Sequence, residues 1–145
     1  MTRSQLPTIL IVDDDEGHAI LIRENLEVAG IPNRIEHFHD GQAILDFFAQ
    51  RPDDLPESYL VLLDIRMPKV DGIEVLRRLK ANPKLAKLPI IMLTTTDDTR
   101  EVERCYELGC NVYIQKPVDY ERFAEAIRRL GLFVPLLLVP QVSGH

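Results

Sequence analysis

Tryptophan is absent from this chain of 145 residues, and cysteine occurs only twice, at Cys105 and Cys110. A structural metal site needs more ligands at closer spacing, so the pair is expected to be two reduced thiols of a cytosolic protein. Basic residues are outnumbered. Seventeen Lys and Arg stand against 23 Asp and Glu, for a formal net charge of −6, with a pI near 5.2. That balance lacks the clustered basic footprint of a nucleic-acid binder. Long apolar runs are missing too. No stretch reaches the ~18 residues of a membrane span, and Met1 to Gln5 is polar and followed by an apolar run only a strand long, which is no signal peptide. The expected setting is the cytoplasm, with neither membrane nor nucleic acid as partner. Four histidines, His18, His37, His39 and His145, are scattered without ligand spacing and are expected at the surface.

What is present is ordinary globular material, 46% hydrophobic and 28% charged, enough for one domain. Apolar runs alternate with helical periodicity. TILIV (Thr8–Val12), YLVLLD (Tyr59–Asp64) and PIIML (Pro89–Leu93) read as strands buried on both faces. NRIEHF (Asn33–Phe38) and NVYIQ (Asn111–Gln115) read as two more strands. Between them lie helical patterns. One runs from about Glu16 to Ala29 with Leu21, Ile22, Leu26 and Ala29 inward. A second follows an Asp40 N-cap and buries Ala43, Ile44, Phe47 and Phe48. A third opens at Gly72 with Val75, Leu76 and Leu79 inward. A fourth spans roughly Asp98 to Leu108, and the last follows Asp119 with Phe123, Ala126, Ile127 and Leu130 inward. Five βα units imply an α/β fold, a doubly wound parallel sheet covered on both faces.

In such a sheet all strand ends that point to the ligand crevice lie along one edge. Here those ends carry Asp13 and Asp14, then Asp64, Thr94 and Lys116. In the strand order 2-1-3-4-5, strands one and three are neighbours, which brings Asp14 and Asp64 together. Several carboxylates in one crevice with only oxygen chemistry describe a hard-cation site, and Mg²⁺ suits it, keeping a position for a phosphate. Lys116 can hold a phosphate oxygen as a point charge and Thr94 can donate to another. This is equipment for phosphoryl transfer. Asp64, alone at its strand end and facing Asp13 and Asp14, is the carboxylate best placed to attack. Each residue alone has a plainer reading as a turn, cap or structural residue; the ordered set at successive strand ends does not.

The motifs IVDDD (Ile11–Asp15), LLDIRMPKVDG (Leu62–Gly72), MLTTT (Met92–Thr96) and YIQKP (Tyr113–Pro117) resemble those of receiver domains of bacterial two-component response regulators. The resemblance covers residues 8–130 and implies the flavodoxin-like (βα)5 receiver fold. It implies that Asp64 accepts a phosphoryl group from the phosphohistidine of a sensor histidine kinase. Asp14 would bind Mg²⁺ directly, Asp13 directly or through water, and the Arg66 backbone carbonyl would complete the set; Mn²⁺ or Ca²⁺ could substitute. Thr94 and Lys116 would hold the aspartyl phosphate. Tyr113 would be an aromatic switch, set against its plainer reading as a half-buried strand residue. The bond before Pro117 would be cis. The departures are Arg66, where a smaller polar residue is common, and Thr95, bulkier than usual. Asp15 extends the acidic block and is expected to serve the helix N-terminus.

Beyond residues 1–7, an N-terminal tail, and the receiver, residues 131–145 form an apolar extension, GLFVPLLLVPQVSGH. Its prolines prevent the helix from continuing. It either folds back on its own domain or, through Leu132, Phe133, Val134, Leu136, Leu137, Leu138 and Val139, forms the arm of a homodimer. AIRRLGLF (Ala126–Phe133) with this tail resembles the single-domain regulators that accompany bacterial phytochrome kinases, which points to a bacteriophytochrome as the kinase. The output could be a bound target, relay of the phosphate to a histidine phosphotransfer protein, or action as a phosphate sink. Two other functions compete. One is a receiver-fold binding module without phosphorylation, which usually lacks one of the acidic, threonine or lysine residues kept here. The other is a Mg²⁺-dependent phosphohydrolase of the haloacid dehalogenase type, reading Asp13 and Asp15 as its D-x-D and Asp97-Asp98 as its late acidic pair. That family places its lysine before the late pair, and Lys116 comes after it.

Overall fold

In the computed structural model, residues 6–28, 30–54, 56–94, 98–115 and 121 are described, Glu57 and Thr94 by their backbone alone. Five strands, β1 (Thr8–Val12), β2 (Ile35–Phe38), β3 (Tyr59–Asp64), β4 (Ile90–Thr94) and β5 (Val112–Gln115), alternate with helices α1 (Glu16–Val28), α2 (Gly41–Ala49), α3 (Gly72–Ala81) and α4 (Thr99–Leu108). A 3-10 turn over Pro56–Ser58 leads into β3. The strands are parallel in the order β2-β1-β3-β4-β5. The helix expected after Asp119 lies outside the described residues except for Glu121, which is helical.

Successive strand residues point to opposite faces, and two cores follow from that. Leu10, Val12, Val61, Leu63, Ile90 and Met92 face α2, α3 and α4, where Ile44, Phe48, Val75, Leu76, Leu79 and Cys105 meet them. Ile9, Ile11, Leu60, Leu62, Ile91 and Leu93 face the other way, against Ala19, Ile22 and Leu26 of α1. Because both faces are covered, the inner strands carry no polar alternation. Leu21, expected inward on α1, is 44% exposed, and Ala19 takes its place in the core. The helix bears apolar residues on its outer side as well, so its periodicity points to no single face.

Helices α2, α3 and α4 each begin at an aspartate cap. Asp40, Asp71 and Asp98 each have extended backbone and accept a hydrogen bond from a first-turn N–H, of Ala43, Glu74 and Arg100 respectively. Gly109 ends α4 with φ 104°, a left-handed cap that glycine adopts without steric penalty. Cys105 and Cys110 are free and buried. Burial pushes their thiols up to about 11 and about 12, so neither is a nucleophile at neutral pH.

Candidate functional site

Register builds the site. Val12 pairs with Leu63, so the next residues, Asp13 and Asp64, emerge side by side at the carboxyl edge of the sheet. Asp64 is paired with Leu93, which puts Thr94 one step beyond it on β4, opposite Gln115. Asp13 and Asp64 are only 2% and 7% exposed, while Asp14 is exposed. Their carboxylates, with that of Asp14, supply ligand atoms that all lie within 4.8 Å of one another.

Electrostatics makes this arrangement unfavourable by itself. At that separation and an effective dielectric of about 20, two charged carboxylates repel by about 3 kcal/mol, and the buried pair has lost most of its hydration. A divalent cation among them reverses the sign of the interaction. The donor set is oxygen only, with one face open through Asp14, which fits a hard cation that retains waters.

Asp13 is held by its surroundings at several points. The Asp15 N–H donates to its Oδ1 at 2.9 Å. His18 Nδ1 contacts its Oδ2, and His37 Nε2 donates to its backbone carbonyl at 2.7 Å. Asp15 stands just before α1 and accepts from the His18 N–H at 3.0 Å, the expected helix N-terminal role. With its oxygen engaged in that cap, Asp15 is a poor second member of a D-x-D pair. His18 and His37 are half-buried here rather than at the free surface expected for them. Their placement needs the β1–β2 pairing, Ile11 to His37, and the fold of the first turn of α1.

The loop between β3 and α3 is drawn tight. The Gly72 N–H donates to Ile65 O at 2.8 Å. A Cβ on Gly72 would stand 2.1 Å from Asp64 O, and one on Gly41 would stand 2.4 Å from Val70 O. Lys69 in this loop has φ 68° and its ammonium lies 3.3 Å from the Asp40 carboxylate. The Arg66 side chain turns away to Glu101 of α4 at 2.9 Å. It is exposed and, in this arrangement, links the loop after Asp64 to the first turn of α4.

The structure thus brings Asp13, Asp14 and Asp64 together, sets the Thr94 backbone at the same edge, and leaves Tyr113 half-buried against the core on β5. Its N–H donates to Tyr106 Oη at 3.2 Å. Thr95, Lys116, Pro117 and the extension residues Leu132, Phe133, Val134, Leu136, Leu137, Leu138 and Val139 lie outside the described residues. Among the described residues no helix is long and apolar enough to cross a membrane.

Known proteins are similar to this chain in sequence and fold. The response regulator receiver domain family matches residues 9–128. Response regulator Rcp1 of Synechocystis is 36% identical over 127 residues, which is 86% of each chain. The structure of its Mn²⁺-bound form superposes with a TM-score of 0.75 at 31% identity, covering 93% of this chain and 99% of that one. A receiver domain from Rhodospirillum rubrum gives 0.75 at 46% identity, covering 94% and 99%. The bacteriophytochrome response regulator RtBRR gives 0.75 at 35%, covering 87% and 78%. Fold, strand order and family agree, and this chain belongs to the response regulator receiver domains of two-component signalling.

Proposed function

We propose that this chain is a response regulator receiver whose Asp64 takes a phosphoryl group from the phosphohistidine of a sensor histidine kinase. The observation that carries the proposal is the convergence of Asp64 with Asp13 and Asp14 at the carboxyl edge of the sheet. In the transfer, the donor's P–N bond breaks, a bond forms between an Asp64 Oδ and phosphorus, and the departing imidazole takes up a proton. Asp13, Asp14, Asp64 and the Arg66 carbonyl would hold Mg²⁺, with Mn²⁺ or Ca²⁺ as substitutes. Bound there, the cation would offset carboxylate repulsion and the charge on the phosphoryl oxygens. Thr94 and Lys116 would hold those oxygens from the other side, with the bond before Pro117 cis. The gain of charge at Asp64 would draw Thr94 toward it and let Tyr113 turn inward, changing the face made by α4, β5 and the last helix. The chain is then a phosphoacceptor that assists its own phosphorylation and hydrolysis rather than a conventional enzyme.

The test is intact mass after incubation with acetyl phosphate, with and without Mg²⁺. One added phosphoryl group that needs Mg²⁺ is expected. No adduct, with Mg²⁺ binding and rapid hydrolysis also excluded, would leave a binding module.

Two features suggest the partners. The likeness to Rcp1 and to a bacteriophytochrome response regulator supports a phytochrome kinase as the donor. The apolar residues 131–145 support a homodimer arm, while a histidine phosphotransfer protein remains an outlet for the phosphate. Light scattering on the chain cut after Leu130 should give a monomer where the full chain gives a dimer. An unchanged dimer mass would sink the arm.

A further inference from the structure

We infer that His18 is a positioning residue for the cation site: it locks the Asp13 carboxylate in the orientation that the cation needs. The inference rests on the metal reading above and goes beyond it. Its ground is geometric. Asp15 caps α1, so His18 occupies the third helical position, and helix side chains lean toward the N-terminus. The imidazole is thereby aimed back over the first turn at Asp13, and Nδ1 meets Oδ2.

A carboxylate can only accept, so Nδ1 carries the proton in this contact. The other carboxylate oxygen takes the Asp15 N–H at 2.9 Å. Two donors on two different oxygens stop rotation of the carboxylate plane. A carboxylate offers about four acceptor sites in all, so these two donors by themselves do not use up its capacity to face a cation or its water. His37 steadies the same residue through its backbone, donating Nε2–H to Asp13 O at 2.7 Å, since a carbonyl also only accepts.

His18 is no ligand itself. The group whose atoms lie within 4.8 Å of one another consists of Asp13, Asp14 and Asp64, and His18 stands outside it. Its contact to a side chain that is 3% exposed, while its own is 19% exposed, places it as a support behind the ligand set. Partners of this kind typically set metal affinity by about 10- to 100-fold.

The test is calorimetric titration of the full chain with MgCl₂, in parallel with His18→Leu and His18→Asn. Asparagine places an N–H near where imidazole has Nδ1–H; leucine places none. The expected result is that His18→Leu binds Mg²⁺ about tenfold more weakly and His18→Asn stays within about threefold of the unchanged chain. Thermal unfolding without Mg²⁺ shows whether each variant is folded. A second readout needs no variant: the two-bond proton–nitrogen spectrum of the unchanged chain should show His18 with its proton on Nδ1. A His18→Leu chain that is folded and binds Mg²⁺ as tightly as the unchanged one overturns the positioning role alone, as does a His18 ring protonated only on Nε2. Failure of the unchanged chain to bind Mg²⁺ overturns the metal reading and, with it, the role of His18.

Discussion

Asp64→Asn should take up no phosphoryl group from acetyl phosphate under conditions where the unchanged chain gains one. The substitution keeps the shape of a side chain in a residue that is 7% exposed, so the core around it has no reason to rearrange. What it removes is the nucleophilic oxygen anion. An amide oxygen shares its electron pair with the amide nitrogen and does not form a stable acyl phosphate. It also removes one of three carboxylates whose oxygens lie within 4.8 Å of one another. Mg²⁺ affinity should therefore fall by at least about tenfold, which corresponds to ~1.4 kcal/mol. Mass spectrometry and a Mg²⁺ titration read the two effects separately. An adduct persisting on Asp64→Asn would move the phosphoacceptor to Asp13 or Asp14, and an undiminished affinity would remove Asp64 from the ligand set.

Gly72→Ala should destabilise the fold by about 3 kcal/mol, near the top of the range for overpacking. The new Cβ would stand 2.1 Å from Asp64 O and 2.8 Å from both Asp64 C and Ile65 Cα. All three are backbone atoms in or beside the end of β3, so no flexible side chain can yield. Relief must come from moving the strand end or the start of α3, and the Gly72 N–H bond to Ile65 O at 2.8 Å resists that. Because the displaced atoms belong to Asp64, the folded fraction should also phosphorylate more slowly. Gly30→Ala is the internal control. Gly30 has φ 80° and nothing within 4 Å of its would-be Cβ, so only the left-handed backbone opposes alanine there, at a cost of about 1 kcal/mol. Urea midpoints measure both. Equal midpoints for the two variants would refute the close-packing account of the β3–α3 loop.

The strands, most helix starts and the identity of the strand-end residues were legible in the sequence. Strands buried on both faces read as near-continuous apolar runs, and crossovers between parallel strands are usually helical. An aspartate before a helical run has few better uses than capping it, as Asp40 and Asp98 do. Periodicity misplaced Leu21 because α1 carries Ile20, Leu21 and Val28 on its outer side, so the apolar pattern fits two faces and packing selects one.

The histidines illustrate a different loss. His18 and His37 are far apart in the chain and show no ligand spacing. One reaches Asp13 because an N-cap turns the first helical turn over it, and the other because β2 pairs with β1. Arg66 is similar. The sequence places a long cation at the mouth of the site, but its pairing with Glu101 depends on where α4 begins.

By itself, then, the sequence determined which residues end each strand and which of them are acidic, because the alternation of apolar runs and helical periods is a local property of the chain. The order that makes β1 and β3 neighbours was expected from the fold class and is the one observed; only the tertiary structure decided the register along it and which side chains support Asp13. Adjacency across a sheet is set by strand pairing and helix packing between distant segments, and no local period carries it.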